Sequence, residues 1–279
     1  MYMKSVVVVL SDRKYLKKAE YTLGEIRDPN KGDWKKDIVF ISVDFDLEPS
    51  FIENFSLIEK KFPRINLSEL QSKLSNKSYL NSDGRELKKI SQWEKIHLFD
   101  EYFKLWDRVI YFDVGFRIYD KIEYLEDVDC KDSFVAPNDC GYDNDRKCKY
   151  ENRLLLNLFD TKTYEKDFER FIKENNINDL KKEYFCNCIF MFDTQILDKI
   201  QKTEMIYYIN RYALWLVNEM TLMNFFIIIK YNIYKELPSR NKNNKYLYAW
   251  SEVELPNTSF NDYCYVKYSN NPDRLMLYI

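Results

Sequence analysis

Asp113 and Gly115 stand two residues apart in DRVIYFDVGFRIYD, residues 107–120, just past the apolar run Val109 to Phe112. A carboxylate at the mouth of a buried strand can hold a cation or accept hydrogen bonds from a ligand. A glycine beside it lets the backbone approach that ligand closely. Lys95 lies near the start of a helical pattern, where a cation opposes the helix dipole by a few tenths of a kcal/mol up to ~1. A bound diphosphate would reverse that sign. Further acids, Asp139, Asp143 and Asp145 in NDCGYDNDRK, could add oxygen ligands if their loop folds back. Further cations are Arg117, Arg240, Lys242 and Lys245, with the loop 238–246 as a basic lid. Plainer readings stand beside these. Asp113 and Gly115 taken alone could form a turn, Lys95 could be a solvated helix residue paired with a carboxylate, and Glu219 could be an acid favoured at a helix start.

These residues need elements to position them. SVVVVL (5–10) and DIVFISV (37–43) are continuous β-branched runs, which predict strands buried on both faces. Residues 14–27 carry apolar groups at helical spacing between them. Residues 49–80 predict two helical pieces broken at Pro63. In SQWEKIHLFDEYFKLW (91–106), Ser91 and Glu94 form a capping-box pattern, and Ile96, Phe99, Phe103 and Trp106 make an apolar stripe. Strands are expected at about 108–113, 116–119, 133–137 and 184–193, and a mostly helical stretch at 196–230 whose part 220–229 should be buried. The tail 247–279 is aromatic-rich and irregular, with short strands. Strands alternating with helices predict a layered α/β fold, with a ligand site beyond the carboxyl ends of the strands.

Composition sets outer bounds. The chain has 279 residues, a formal net charge of -2, 46% hydrophobic and 32% charged residues, so it is read as a globular domain without a large nucleic-acid footprint. The longest apolar run, FFIII within 222–229, is far short of the ~20 residues of a membrane span. VVVVL is too short for a signal peptide. A reducing, cytoplasmic setting is expected, with the six cysteines as free thiols. Cys130, Cys140, Cys148, Cys186 and Cys188 lack a Cys-x-x-Cys pair, which disfavours zinc, and His97, the single histidine, is read as structural.

The ordered set of segments resembles glycosyltransferases of the GT-A fold, the glycogenin-like family 8 and its relatives. The stretch WEKIHLFDEYFKLWDRVIYFDVGFRIYDKIEYL is similar to the lysine-bearing helix, the Asp-x-Asp strand and the short strand after it. VVVVLSDRKYLKKAEYTLGEIR resembles the first strand, uridine-contacting loop and following helix. YFCNCIFMFDTQIL resembles the FNSG-type strand, and NEMTLMNFFIIIKYNIYKELPSR the DQxxLN…LP segment. Together they cover roughly residues 5–240. The resemblance implies that Ser11 and Tyr15 face uracil and that Lys95 reaches the ribose or diphosphate. It implies that Asp113 touches the ribose and a divalent metal, Mn²⁺ or Mg²⁺. Cys186, Asn187 and Cys188 would line the sugar pocket, with Glu219 near the reacting carbon; Glu219 and Asn187 are the catalytic candidates. Ser11, Tyr15, Lys95, Asp113, Gly115 and Arg240 are the donor-binding candidates. The departures are Gly115 in place of the second Asp, no counterpart of a metal-binding histidine, and no C-terminal Gly- and Lys-containing diphosphate motif. A related group of glycosyltransferase-like proteins also carries Asp-x-Gly.

The expectation is a single GT-A domain over 1–279, an α/β fold with a mostly parallel central sheet flanked by helices. It divides into a nucleotide-binding half (5–137), an acceptor and sugar half (138–240) and a C-terminal extension (241–279). Such a domain would transfer a hexose from a UDP-sugar, with retention, to a glycan, protein or lipid acceptor, and a homodimer is admitted. A non-catalytic nucleotide-sugar-binding protein on the same fold is the alternative favoured by the lost second Asp. A nucleotidyltransferase would show a Gly-rich phosphate loop after the first strand, and SDRKYL has none.

Overall fold

The computed structural model describes residues 3–74, 91–138, 164–180, 182, 184–215, 218–250 and 262–268. Its centre is a seven-stranded sheet. In chain order the strands are β1 (Ser5–Asp12), β2 (Ile38–Val43), β3 (Leu57–Lys60), β4 (Arg108–Asp113), β6 (Phe134–Ala136), β7 (Ile189–Asp193) and β8 (Tyr234–Glu236). In space the order is β3-β2-β1-β4-β7-β6-β8. Strand β1 runs parallel to both β2 and β4, whereas β7 is antiparallel to β4 and to β6. A second sheet of three strands joins β5 (Phe116–Ile118) to β10 (Tyr263–Lys267) and β10 to β9 (Tyr246–Trp250).

The run of valines explains the middle of the sheet. Val6 and Val8 face one apolar cluster, Val7 and Val9 the other, and all four are fully buried. Each such burial stabilises the fold by roughly 1.5–3 kcal/mol. Strand β4 alternates in the same way, with Val109 and Tyr111 on the first face and Ile110 and Phe112 on the second. Helix α1 (Leu16–Arg27) covers the second face through Ala19, Leu23 and Ile26. The same helix ties the two sheets together. Thr22 Oγ1 accepts from the Gly115 amide at 3.1 Å and donates to the Phe116 carbonyl at 3.1 Å, and Glu25 accepts from the Ile118 amide and the Arg117 guanidinium, both at 2.8 Å.

Three expectations change. Residues 49–80 do contain helices α2 (Pro49–Phe55) and α3 (Ser68–Leu74), but β3 lies between them. Ser56 takes φ +50 and stops α2, and the chain then pairs with β2 along the sheet edge. Residues 91–106 form two 3-10 segments, Ser91–Phe99 and Glu101–Leu105, separated where the Asp100 carboxylate accepts from the Tyr102 amide. The capping box does not form, because the Ser91 hydroxyl donates to Asp12 at 3.0 Å and the Glu94 carboxylate pairs with His97 and Arg64. The strand expected over 184–193 is regular only from Ile189, since Asn224 claims the earlier backbone: its side chain accepts from the Phe185 amide at 2.9 Å and donates to the Phe185 carbonyl at 3.2 Å. Among the described residues no helix is long and apolar enough to cross a membrane.

Candidate functional site

A cleft opens at the carboxyl ends of β1 and β4. Ser11 and Asp12 line it from the end of β1, Tyr15 from the turn into α1 and Lys18 from the first turn of α1. Ser91, Gln92 and Lys95 reach it from the first 3-10 segment, Asp113 and Val114 from the end of β4, and Lys267 from β10. The parallel pairing of β1 with β4 sets Leu10 opposite Asp113 and so brings the first two groups together.

Lys95 is the centre of the site. Its side chain is 4% exposed, and its ammonium lies 2.9 Å from Asp113 Oδ1 and 3.3 Å from Glu219 Oε1. It also donates to the Asn187 carbonyl at 3.3 Å and sits 5.4 Å over the Tyr111 ring. Burial alone would strip the proton from such an ammonium, but Asp113 and then Glu219 outweigh it and hold its pKa above the ordinary lysine value. Burial likewise opposes ionisation of Asp113, and here Lys95 and then Lys267 prevail, so this carboxyl titrates below its usual range. The Tyr111 hydroxyl donates to Asp113 Oδ1 at 2.6 Å and is kept protonated, first by burial and then by the charge of Asp113.

Glu219 lies deeper. Asn218 takes φ +50, a left-handed value that asparagine tolerates, and turns the chain into the helix Asn218–Asn224 whose start carries Glu219 inward. Asn187 Nδ2 donates to Glu219 Oε1 at 3.0 Å. Burial raises the Glu219 pKa, and the attraction of Lys95 and the Asn187 hydrogen bond do not fully reverse it. The structure therefore brings four sequence-selected residues, Lys95, Asp113, Asn187 and Glu219, into one hydrogen-bonded group. Cys186 and Cys188 flank Asn187 but belong to the core cluster on the other face, with their sulfurs 3.2 Å apart and Cys188 3.2 Å from the Tyr248 hydroxyl. The four described cysteines are free thiols.

At the outer end, the Ser11 hydroxyl donates to the Asp12 carbonyl at 2.8 Å. The ammonium groups of Lys14 and Lys18 are 5.5 and 5.6 Å from the centroid of the Tyr15 ring. The Oε1 of Gln92 is buried without a hydrogen-bond partner among the described residues, an acceptor left for a donor group of a ligand. Gly115 takes φ +88, which favours glycine, and a Cβ built there would stand 3.7 Å from the Lys267 ammonium and 3.9 Å from Lys18 Cδ. Lys18, Gln92 and Lys267 carried no sequence signal. Lys267 sits in the aromatic tail, and only the antiparallel pairing of β10 with β5 delivers it to the cleft.

The basic lid residues are placed elsewhere. Arg240 does not line this cleft; it stacks 3.7 Å over the Tyr246 ring and donates to the Asn244 carbonyl. Lys242 pairs with Asp127, Lys245 with Asp120 and Arg117 with Glu25. Asp139, Asp143 and Asp145 lie outside the described residues.

The described residues do not fit a divalent metal. Mn²⁺ and Mg²⁺ want several oxygen ligands, and no group of three or more His, Cys, Asp or Glu is gathered for one among the described residues. Asp113, at the end of β4, already receives Lys95 and Tyr111 on Oδ1 and faces Lys267 at 3.8 Å on Oδ2, and Asp12, at the end of β1, accepts from the Tyr15 amide and the Ser91 hydroxyl.

No family model matches the sequence, and no curated protein matches it. Solved structures do. The apo structure of the bifunctional glycosyltransferase WbbM superposes with a TM-score of 0.58 at 14% identity, over 96% of this chain and 46% of that one. The chain thus spans about half the length of that protein. Galactosyltransferase LgtC, in complex with donor and acceptor sugar analogues, gives 0.57 at 12% identity over 95% of this chain and 87% of its own. Core-mannan synthase A of Aspergillus fumigatus, in its Mn/GDP form, gives 0.51 at 9% identity over 85% and 73%. At these identities the likeness is one of fold, and the fold is GT-A: a mixed α/β domain with a mostly parallel central sheet flanked by helices.

Proposed function

We propose that the protein is a glycosyltransferase that moves a hexose from a nucleotide diphospho-sugar, a UDP-sugar, to a glycan, protein or lipid acceptor with retention of anomeric configuration. The observation that carries this reading is the convergence of Lys95, Asp113, Asn187 and Glu219 at the carboxyl end of β4 on a GT-A fold. In this reading Ser11, Tyr15 and Gln92 receive the base and Asp113 accepts from the ribose. As the glycosidic bond breaks, negative charge grows on the departing diphosphate, and fixed ammonium groups stabilise it without reorganising. Lys95 holds Asp113 as a carboxylate and favours ionisation of Glu219, whose pKa burial nonetheless keeps raised. The Glu219 carboxylate and the Asn187 amide then flank the carbon at which positive charge develops.

The test is donor binding followed by donor hydrolysis. UDP is expected to raise the melting temperature more than GDP or CDP, and UDP-glucose or UDP-galactose to be hydrolysed by the wild type but not by Asp113→Ala. Equal turnover in both would remove Asp113 from the site. One observation favours a second reading, a non-catalytic nucleotide-sugar-binding protein: Gly115 leaves the strand end with a single carboxylate. Stabilisation by UDP with no hydrolysis of any UDP-hexose would select it.

A further inference from the structure

We propose that Lys18 and Lys267 form a seat for the diphosphate of the nucleotide ligand that works without a divalent cation. The nucleotide in this statement rests on the function proposed above; the diphosphate seat does not. The turn from β4 to β5 places the missing side chain of Gly115 toward both lysines, 3.7 Å from the ammonium of one and 3.9 Å from the stem of the other. Both line the cleft that Asp113 also lines. Lys267 is 8% exposed, donates to the Val114 carbonyl and meets Asp113 Oδ2 at 3.8 Å, which fixes its ammonium at the rim of the strand end. Lys18 makes no ion pair with any described carboxylate, and its recorded charge contact is the Tyr15 ring.

The charges around the pair are unevenly matched. Asp113 already neutralises Lys95, and Asp12 is engaged by the Tyr15 amide and the Ser91 hydroxyl. Burial, and then the like charges of Lys267 and Lys14, lower the pKa of Lys18, as expected of an ammonium lacking its counter-ion. Two cations brought together in one cleft form a site for an anion with more than one charge. A diphosphate bridges two such groups. A divalent cation does not suit the same place, because it would compete with the Lys267 ammonium for Asp113 Oδ2.

The test is calorimetric titration of EDTA-treated full-length protein with inorganic pyrophosphate, UDP and uridine. Pyrophosphate and UDP are expected to bind in EDTA, and Lys18→Ala to weaken both at least tenfold while leaving uridine within twofold. Lys267→Met should do the same and Lys267→Arg should restore most of the affinity. Lys18 is only partly buried, so its variant decides the matter even if Lys267→Met fails to fold. Pyrophosphate binding that requires Mn²⁺ or Mg²⁺, or that survives Lys18→Ala within twofold, overturns the seat. Pyrophosphate binding that is lost in Lys18→Ala while neither UDP nor uridine binds the wild type supports the seat and overturns the nucleotide reading instead.

Discussion

Replacing Lys95 by methionine keeps most of the side-chain stem and removes the charge at the middle of the site. The ammonium is 2.9 Å from one carboxylate and 3.3 Å from another. At an effective dielectric constant of about 20, each pair contributes roughly 5 kcal/mol of attraction. Desolvation, several kcal/mol per buried ion, offsets most of that. What the substitution leaves behind decides the outcome. Asp113 keeps Tyr111 and Lys267, whereas Glu219 keeps the Asn187 amide and its own backbone amide, no cation among the described residues, and faces Asp113 across the gap. Breaking a buried pair in this way costs about 3–5 kcal/mol. Proton uptake by Glu219 is the escape, at about 1.4 kcal/mol per pH unit above its pKa. A carboxyl whose folded-state pKa is raised holds a proton that the unfolded chain releases. Stability therefore falls as pH climbs above the unfolded value near ~4.3. Removing Lys95 raises Glu219 further and extends that window upward. The expected loss for Lys95→Met is about 3 kcal/mol or more at pH 8 and clearly less at pH 6. Urea denaturation of the wild type, Lys95→Met, Glu219→Gln and the double variant at both pH values measures it. The double variant should be more stable than Lys95→Met alone at pH 8, with a coupling of about 1–3 kcal/mol. Additivity within about 0.5 kcal/mol at pH 8 would refute the description of these groups as one electrostatic unit.

Asp113→Asn keeps the shape and loses the charge, and UDP affinity by calorimetry is expected to fall at least tenfold; an unchanged affinity removes this carboxylate from the ligand contacts. The same variant reports on acid stability. The Asp113 pKa is lowered, so its contribution is present above the unfolded value near ~3.9 and disappears as pH falls through the folded value. The stability difference between wild type and Asp113→Asn should shrink as acid is added, and a constant difference would contradict the assignment. Gly115→Ala should cost about 1–3 kcal/mol in urea denaturation because of its φ of +88, since the nearest side-chain atom lies at an ordinary 3.7 Å; Gly115→Asn should cost less. Glu25→Gln removes the charge that holds Arg117 and Lys31 at 2.7 and 2.6 Å, and a loss of about 2–4 kcal/mol in the same assay is expected.

The strands that build the middle of the sheet were legible because nothing else explains a run such as SVVVVL: both faces are apolar, so both faces are covered. Strand β3 was not legible, because LIEK is half polar and gains its place only by pairing with β2 at an edge. The stripe Ile96, Phe99, Phe103, Trp106 suits an α-helix, yet Trp93 through Phe99 are all buried and the segment tightens into 3-10 geometry. Lys95, Asp113, Asn187 and Glu219 could be selected because each sits in a segment with a recognisable order. Lys18 could not, being one of four basic residues in a row of six (Arg13 to Lys18), and Lys267 has no surrounding pattern at all. Charge alone drew attention to Arg240, Lys242 and Lys245, whose neighbours at Asn244, Asp127 and Asp120 become visible only with the tertiary structure.

The hydrogen bond from Lys267 to Val114 joins residues 153 positions apart. Closing so long a loop carries an entropic cost that local contacts do not share, and non-local pairings of this kind slow folding. Helix α1 and the β4–β5 turn can settle against each other through Thr22 and Glu25 well before β10 docks. A chain emerging from the ribosome would thus hold a nearly finished sheet whose ligand-facing rim is still short of one cation, and competence to bind would arrive as a late, separable event in maturation.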